Sequence, residues 1–175
     1  MRRLLLFRHS HAGRAEPGGS DFDRGLSERG RADAACIGTY LARHDLAPDH
    51  ALVSPAVRAQ QSWTIAAAQL RTKPANRTER SIYNAEPAAL LGSVAQTPSA
   101  AQLLMLVGHN PGLHELALLL IAAGDIDMRE RLREELPTSG LAVIDFALTD
   151  WSAIGPDSGR LECFVTPDTL ESAAL

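Results

Sequence analysis

Leu4-Leu5-Leu6-Phe7-Arg8-His9-Ser10-His11-Ala12 opens with four large apolar residues and no polar alternation among them. Such a run reads as a short strand covered on both faces, the pattern of a parallel sheet between helices. It breaks into Arg8 and His9, a cation beside the one side chain that is both neutral and nucleophilic near pH 7. Gly13 and the pair Gly18-Gly19 then turn the chain away as a loop. Ligands of open parallel sheets sit just beyond the carboxyl ends of the strands. Arg8 and His9 are placed there, as a phosphate site with a histidine nucleophile.

The same design recurs twice. Leu103-Leu104-Met105-Leu106-Val107 is a second apolar strand, and it runs into Gly108-His109-Asn110-Pro111. Asn110 is the expected cap and Pro111 the first residue of a helix continuing through Leu116 to Ala123. Ala51-Leu52-Val53 is a third strand and ends in Ser54-Pro55, with Ser54 as cap. The helix from Pro55 to about Leu70 carries Arg58 in its first turn. Three strands thus end in Arg8-His9, in Ser54-Pro55 followed by Arg58, and in His109. That coincidence is the strongest signal in the chain.

The remaining segments read as scaffold. Ser27 caps a helix reaching about Asp45, with Ala34, Ile37 and Leu41 at helical spacing and Pro48 beyond its end. Residues 71–80 are polar and basic and read as a surface connection, and Ser81-Ile82-Tyr83 as a short strand or extended segment. Helices are expected from Glu86-Pro87 to about Ala95 and over Met128–Leu136, and a strand over Leu141–Leu148. Arg160–Val165 reads as a returning antiparallel strand at a sheet edge, and the residues after Pro167 as a mobile tail. Strands alternating with helices in 175 residues predict one α/β domain over 1–175.

Composition narrows the function. Hydrophobic residues at 45% and charged residues at 22% are ordinary for a globular chain, and a net charge of -4 argues against a nucleic-acid surface. Met1-Arg2-Arg3 imitates the start of a signal peptide, but the apolar stretch is shorter than the roughly 7–15 residues required. Leu116 to Ala123 falls short of the roughly 20 residues of a membrane span. The expectation is therefore a cytoplasmic protein with no membrane contact. Cys36 and Cys163 form no CxxC pair and read as buried reduced thiols.

His11 and His114 invite a metal reading beside His9 and His109. His109 and His114 are five apart in sequence, however, not the four that place two ligands on one helix face, and there is no HExxH. Phosphate chemistry accounts for the residues better. A transferred phosphoryl group needs in-line attack and neutralisation of its equatorial oxygens. The planar forks of Arg8 and Arg58 match the second need, and the neutral imidazole of His9 the first.

Four motifs together resemble the histidine phosphatase superfamily: Arg8-His9-Ser10-His11-Ala12, Leu26-Ser27-Glu28-Arg29-Gly30, Ser54-Pro55-Ala56-Val57-Arg58-Ala59-Gln60-Gln61-Ser62 and Val107-Gly108-His109-Asn110-Pro111. They stand in the family's order between Arg2 and about Phe146, and the likeness is to the short SixA-type phosphohistidine phosphatases. The resemblance implies a three-layer α/β/α sandwich with a mostly parallel central sheet and no cofactor or metal. It implies His9 as phosphorylated nucleophile, His109 as second catalytic histidine, and Arg8 and Arg58 as phosphate ligands. Ser10, placed where the family usually has glycine, joins the expected substrate-binding set.

Larger relatives such as the phosphoglycerate mutases use a glutamate as general acid. Glu86 lies in the corresponding region, within a stretch more like the tyrosine-containing segment of SixA-type members, which need not supply an acid. Asp21 is a further acid candidate. Without a strong acid or a long lid, the expected substrate is a phosphohistidine protein, such as a histidine phosphotransfer domain, whose leaving imidazole can already be protonated. The alternatives are a small phosphoester as substrate, or a non-catalytic phosphate-binding module of the same fold.

Overall fold

In the computed structural model, which describes residues 1–173, the stretch Arg2–Arg8 is β1, and Leu4, Leu5, Leu6 and Phe7 are fully buried. Its neighbours are β4 (Leu103–Gly108), parallel, and β6 (Leu141–Phe146), antiparallel. The other strands are β2 (His50–Val53), β3 (Ala75–Thr78), β5 (Ile121–Gly124) and β7 (Gly159–Val165). They build one seven-stranded sheet in the order β3-β2-β4-β1-β6-β7-β5, in which only β6 runs against the rest.

Alternation along β1 divides the core between two layers. Leu4 and Leu6 pack with Leu104, Leu106, Leu113, Leu116 and Leu90 on one side of the sheet. That side is covered by α3 (Pro87–Ala95), α4 (Gly112–Leu120) and α5 (Ile126–Glu134). Leu5 and Phe7 pack with Met105, Val107, Ile37, Leu41 and Trp63 on the other side, under α1 (Glu28–Arg43) and α2 (Val57–Ala67). Each fully buried Leu or Phe contributes roughly 1.5–3 kcal/mol of hydrophobic stabilisation. The result is a three-layer α/β/α sandwich. No helix among the described residues is long and apolar enough to cross a membrane.

Several elements differ from the sequence reading. Residues 75–78, expected within a surface connection, form the edge strand β3, whose four residues are all exposed and so carry no apolar alternation. The helix after Pro111 stops at Leu120, because Ile121 turns extended and Gly124 takes a φ of +132°, letting β5 pair with β7. A side chain at Gly124 would meet the Leu161 carbonyl at 2.6 Å. β5 is consequently the sheet edge, and β7 lies inside it, antiparallel to β6 and parallel to β5.

Of Ser81-Ile82-Tyr83, expected as a strand or extended segment, Ser81 and Ile82 lie in a 3-10 turn over Arg80–Ile82 and only Tyr83 is extended. The residues after Pro167 are not all tail, since Pro167–Ala173 form α6, whose Leu170 packs against the α1–α2 side of the core. Positions 174 and 175 of that expected tail lie outside the described residues. Cys36 and Cys163 are free and half-buried.

Candidate active site

The carboxyl ends of β2, β4 and β1 lie side by side in the sheet, and each is followed at once by a polar residue of interest. His9 leaves β1 with its backbone N–H on the Gly108 carbonyl at 3.1 Å, while Ser54 leaves β2 with its N–H on Val107 at 3.0 Å. The three strand ends are thus laced together where the side chains diverge from the sheet. The His9 and His109 rings face each other, centroids 5.0 Å apart and tilted by 54°. Arg58, the second residue of α2, reaches across with its Nε 3.3 Å from His9 Nε2. His9, Arg58 and His109 are all buried.

The tautomer of His9 follows from its partners. Nδ1 lies 2.8 Å from the Ser10 carbonyl, and a carbonyl only accepts, so Nδ1 carries the hydrogen. Nε2 is left with its lone pair, which accepts from Arg58 Nε–H. Burial, followed by the charges of Arg58, Arg8 and Arg24, pushes the His9 pKa down to about 4 against the supporting bond from Ser10. The imidazole is therefore neutral at physiological pH.

His109 is fixed from the other side. Its Nε2 lies 2.7 Å from Ser54 Oγ, and its Nδ1 is buried without a partner. If the Ser54 hydroxyl donates to Nε2, Nδ1 presents an N–H ready for an incoming acceptor. Burial, then His9 and Arg58, pushes the His109 pKa down to about 3.

Arg8 ends β1 half-buried. One Nη donates to the Leu136 carbonyl at 3.0 Å, and its buried Nε has no partner. Asn110 Nδ2 donates to that same carbonyl at 2.8 Å, so the turn before β6 braces both. Burial lowers the Arg8 pKa from its ordinary value. A guanidinium with free donors and a neutral imidazole whose lone pair is held by an arginine are the components of an anion site equipped with a nucleophile.

Ser10 has a different place from the expected one. It is fully buried, its hydroxyl accepts from Ser139 Oγ at 2.6 Å, and its N–H donates to Ser62 Oγ at 2.9 Å. Ser62 in turn donates to the Arg58 carbonyl at 2.7 Å. Through these bonds Ser10 links the His9 backbone to the first turn of α2.

Ser54 and Asn110, expected as helix caps, have other tasks. α2 begins after Ala56 and α4 after Pro111, which frees Ser54 for His109 and Asn110 for Leu136. Glu86 is exposed at the start of α3, where its side chain makes no cap bond. Asp21, by contrast, enters the site. Its Oδ2 lies 3.0 Å from Arg58 Nη2 and accepts from the Tyr83 hydroxyl at 3.3 Å. The Tyr83 ring packs edge-on against His109 at 5.4 Å. Neither Tyr83 nor Ser54 is identifiable as a site residue from spacing alone, since Ser before Pro reads first as a cap.

The histidines beyond this pair are held elsewhere. His11 Nδ1 is bonded to Ser27 Oγ at 2.8 Å, and His114 Nε2 to the Leu132 carbonyl at 2.6 Å. Among the described residues, no group of three or more His, Cys, Asp or Glu side chains could hold a metal ion.

The chain is similar to known proteins in sequence and in fold. A family profile of the histidine phosphatase superfamily (branch 1) matches residues 4–80. An uncharacterised protein of Mycobacterium tuberculosis is 35% identical over 160 residues, covering 90% of this chain and 98% of its own. The crystal structure of SixA from Agrobacterium tumefaciens, 33% identical, superposes with a TM-score of 0.80 over 95% of this chain and 98% of that one. The protein histidine phosphatase SixA in complex with tungstate, at 19% identity and a TM-score of 0.72 over 96% of this chain and 99% of that one, shares the fold. With β1, the strand-end histidines and the α2 arginine in one pocket, the chain belongs to the histidine phosphatase superfamily and is a SixA-type member of it.

Proposed function

We propose that this chain is a cofactor-independent phosphatase that removes phosphate from phosphohistidine on a protein, acting in the cytoplasm through a phosphorylated His9. The observation that carries the reading is the His9 imidazole itself: Nδ1–H is tied to the Ser10 carbonyl, and the unprotonated Nε2 accepts from Arg58 Nε. Nε2 attacks phosphorus in line and forms the new P–N bond as the bond to the leaving group breaks. Arg58 and Arg8 neutralise the equatorial oxygens, a task that a metal performs in other phosphoryl-transfer sites. His109 donates to the same oxygens through Nδ1. Water then attacks phosphorus, the P–N bond to His9 breaks, and its electron pair returns to Nε2.

The phosphohistidine assignment is supported by the similarity to Agrobacterium SixA, a candidate phosphohistidine phosphatase. It is also supported by the state of the two acid candidates: Glu86 is exposed and makes no cap bond at the start of α3, and Asp21 is ion-paired. An alkoxide leaving group needs an acid, whereas a protonated imidazole does not. The partner is accordingly a phosphorylated protein such as a histidine phosphotransfer domain. The test is phosphate release from a labelled phosphohistidine protein in excess chelator, measured against sugar phosphates. Release from the protein with little from the sugar phosphates is expected. The reverse order would transfer the assignment to a small phosphoester, and binding without turnover would make the chain a phosphate-binding module.

A further inference from the structure

We infer that Asp21 is the leaving-group residue of this site, a carboxylate that accepts the ring N–H of a departing imidazole and so selects phosphoramidates with a protonated leaving ring over phosphate esters. The inference rests on the phosphohistidine reading above and goes beyond it by naming what distinguishes the two substrate classes.

The geometry begins with Arg58, whose guanidinium spans the pocket. Its Nε meets His9 Nε2 at 3.3 Å, while its Nη1 and Nη2 end on Asp21, at 2.6 Å from the backbone carbonyl and 3.0 Å from Oδ2. The Arg58 side chain is only 6% exposed and that of Asp21 is 53% exposed, so the carboxylate sits at the solvent end of a fork whose inner end touches the nucleophile. In-line displacement puts the leaving atom on the far side of phosphorus from His9 Nε2. Asp21, at the outer, half-exposed end of the Arg58 fork, is the carboxylate that a leaving group departing toward solvent would meet.

The partners of the carboxylate decide what it can do there. Oδ1 accepts from Arg24 Nη1 at 2.9 Å, and Oδ2 from Arg58 and from the Tyr83 hydroxyl. Every neighbour donates, so the carboxylate is held ionised. The Arg24 bond is the largest of several causes keeping its pKa below the ordinary value. An ionised carboxylate has no proton to give to an alkoxide, but it has lone pairs for an N–H.

A phosphohistidine ring protonated on the nitrogen that carries no phosphorus offers one. The bond between phosphorus and the substrate nitrogen breaks, and its pair stays on that nitrogen. The new bond forms from His9 Nε2, and the ring proton already in place lets the imidazole leave neutral. The carboxylate stabilises the protonated ring before the step, as the Ser10 carbonyl stabilises the Nδ1–H of His9 once phosphorus is attached. A phosphate ester brings the same phosphoryl charge without a protonated ring, so there the carboxylate charge is only repulsive.

The experiment compares wild type with Asp21→Asn and Asp21→Ser on a phosphohistidine peptide and on an aryl phosphate, whose leaving group needs no protonation. The expected result is that the ratio of kcat/KM for peptide over aryl phosphate falls by about tenfold or more in both variants. The alkaline limb of the peptide profile should also move to lower pH, because the ring loses the charge that favours its protonation. An unchanged ratio, including equal losses on both substrates from a displaced Arg58, overturns the inference and leaves the phosphohistidine reading standing. A wild-type protein that cleaves the aryl phosphate but not the peptide overturns that reading and this inference with it.

Discussion

The two halves of the sheet on either side of β1 are built from similar strands but differ in what they leave at their ends. On the β4–β2 side every strand is parallel, and each carboxyl end opens toward a helix start at the same edge. His9, Ser54 and His109 occupy that edge, with buried Arg8 Nε, His109 Nδ1 and Asn110 Oδ1 left without partners. On the β6–β7 side, β6 runs back against both neighbours. That half sends the Leu136 and Gly140 carbonyls and Ser139 toward the site, and all three act as braces. Parallel topology therefore concentrates chain ends and unsatisfied polar atoms at one edge, while the antiparallel return supplies support. A buried polar atom without a partner costs about 1–3 kcal/mol, so an anion that gives these donors a partner is favoured at that edge.

That comparison breaks most cleanly at its extremes. His9→Ala should abolish turnover while the protein still unfolds cooperatively in a thermal melt, since the imidazole serves chemistry and not the core. Leu6→Ala, on the strand beneath it, should do the opposite: a loss of about 2–5 kcal/mol in denaturant unfolding with kcat retained under native conditions. Arg58→Ala should lower kcat/KM by the equivalent of about 2.7–4 kcal/mol, as for other deleted electrostatic donors. If Arg58→Ala instead cost mainly stability, the parallel edge would be scaffold and the division between halves would disappear.

Smaller effects sharpen the picture. Ser54→Ala removes the partner of His109 Nε2 and should reduce kcat more than it raises KM, by the equivalent of about 1 kcal/mol. Acidification should weaken the free protein through the same two histidines. Their folded pKa values, about 4 and about 3, lie below the ordinary 6.5. The unfolded chain thus takes up protons that the folded one refuses, and stability falls as pH drops from about 6.5 toward 4. Unfolding midpoints measured across that range should show the decline, and His9→Ala should flatten it.

Much of this organisation is legible in the chain because burial on both faces leaves an unambiguous mark. Leu4–Phe7 and Leu103–Val107 have no polar alternation, so their strands, and the Arg8-His9 and His109 that end them, stand out. β3 has no such mark, because an exposed edge strand has no apolar face to repeat. β5 was hidden for the opposite reason: Leu116 to Ala123 is apolar throughout, and periodicity alone cannot show where helix gives way to strand. Ser54 and Asn110 fit helix-cap chemistry so well that their long-range bonds to His109 and Leu136 could not be read from local sequence. Asp21 and Tyr83 enter the site from two separate segments, brought together only by the tertiary fold.

Trapping the covalent species tests the central claim most directly. After brief exposure to a labelled phosphohistidine protein and an acid-free quench, the label should be found on Nε2 of His9, and it should be absent from His9→Ala. Label on another residue, or phosphate released at wild-type rate by His9→Ala, would contradict the account.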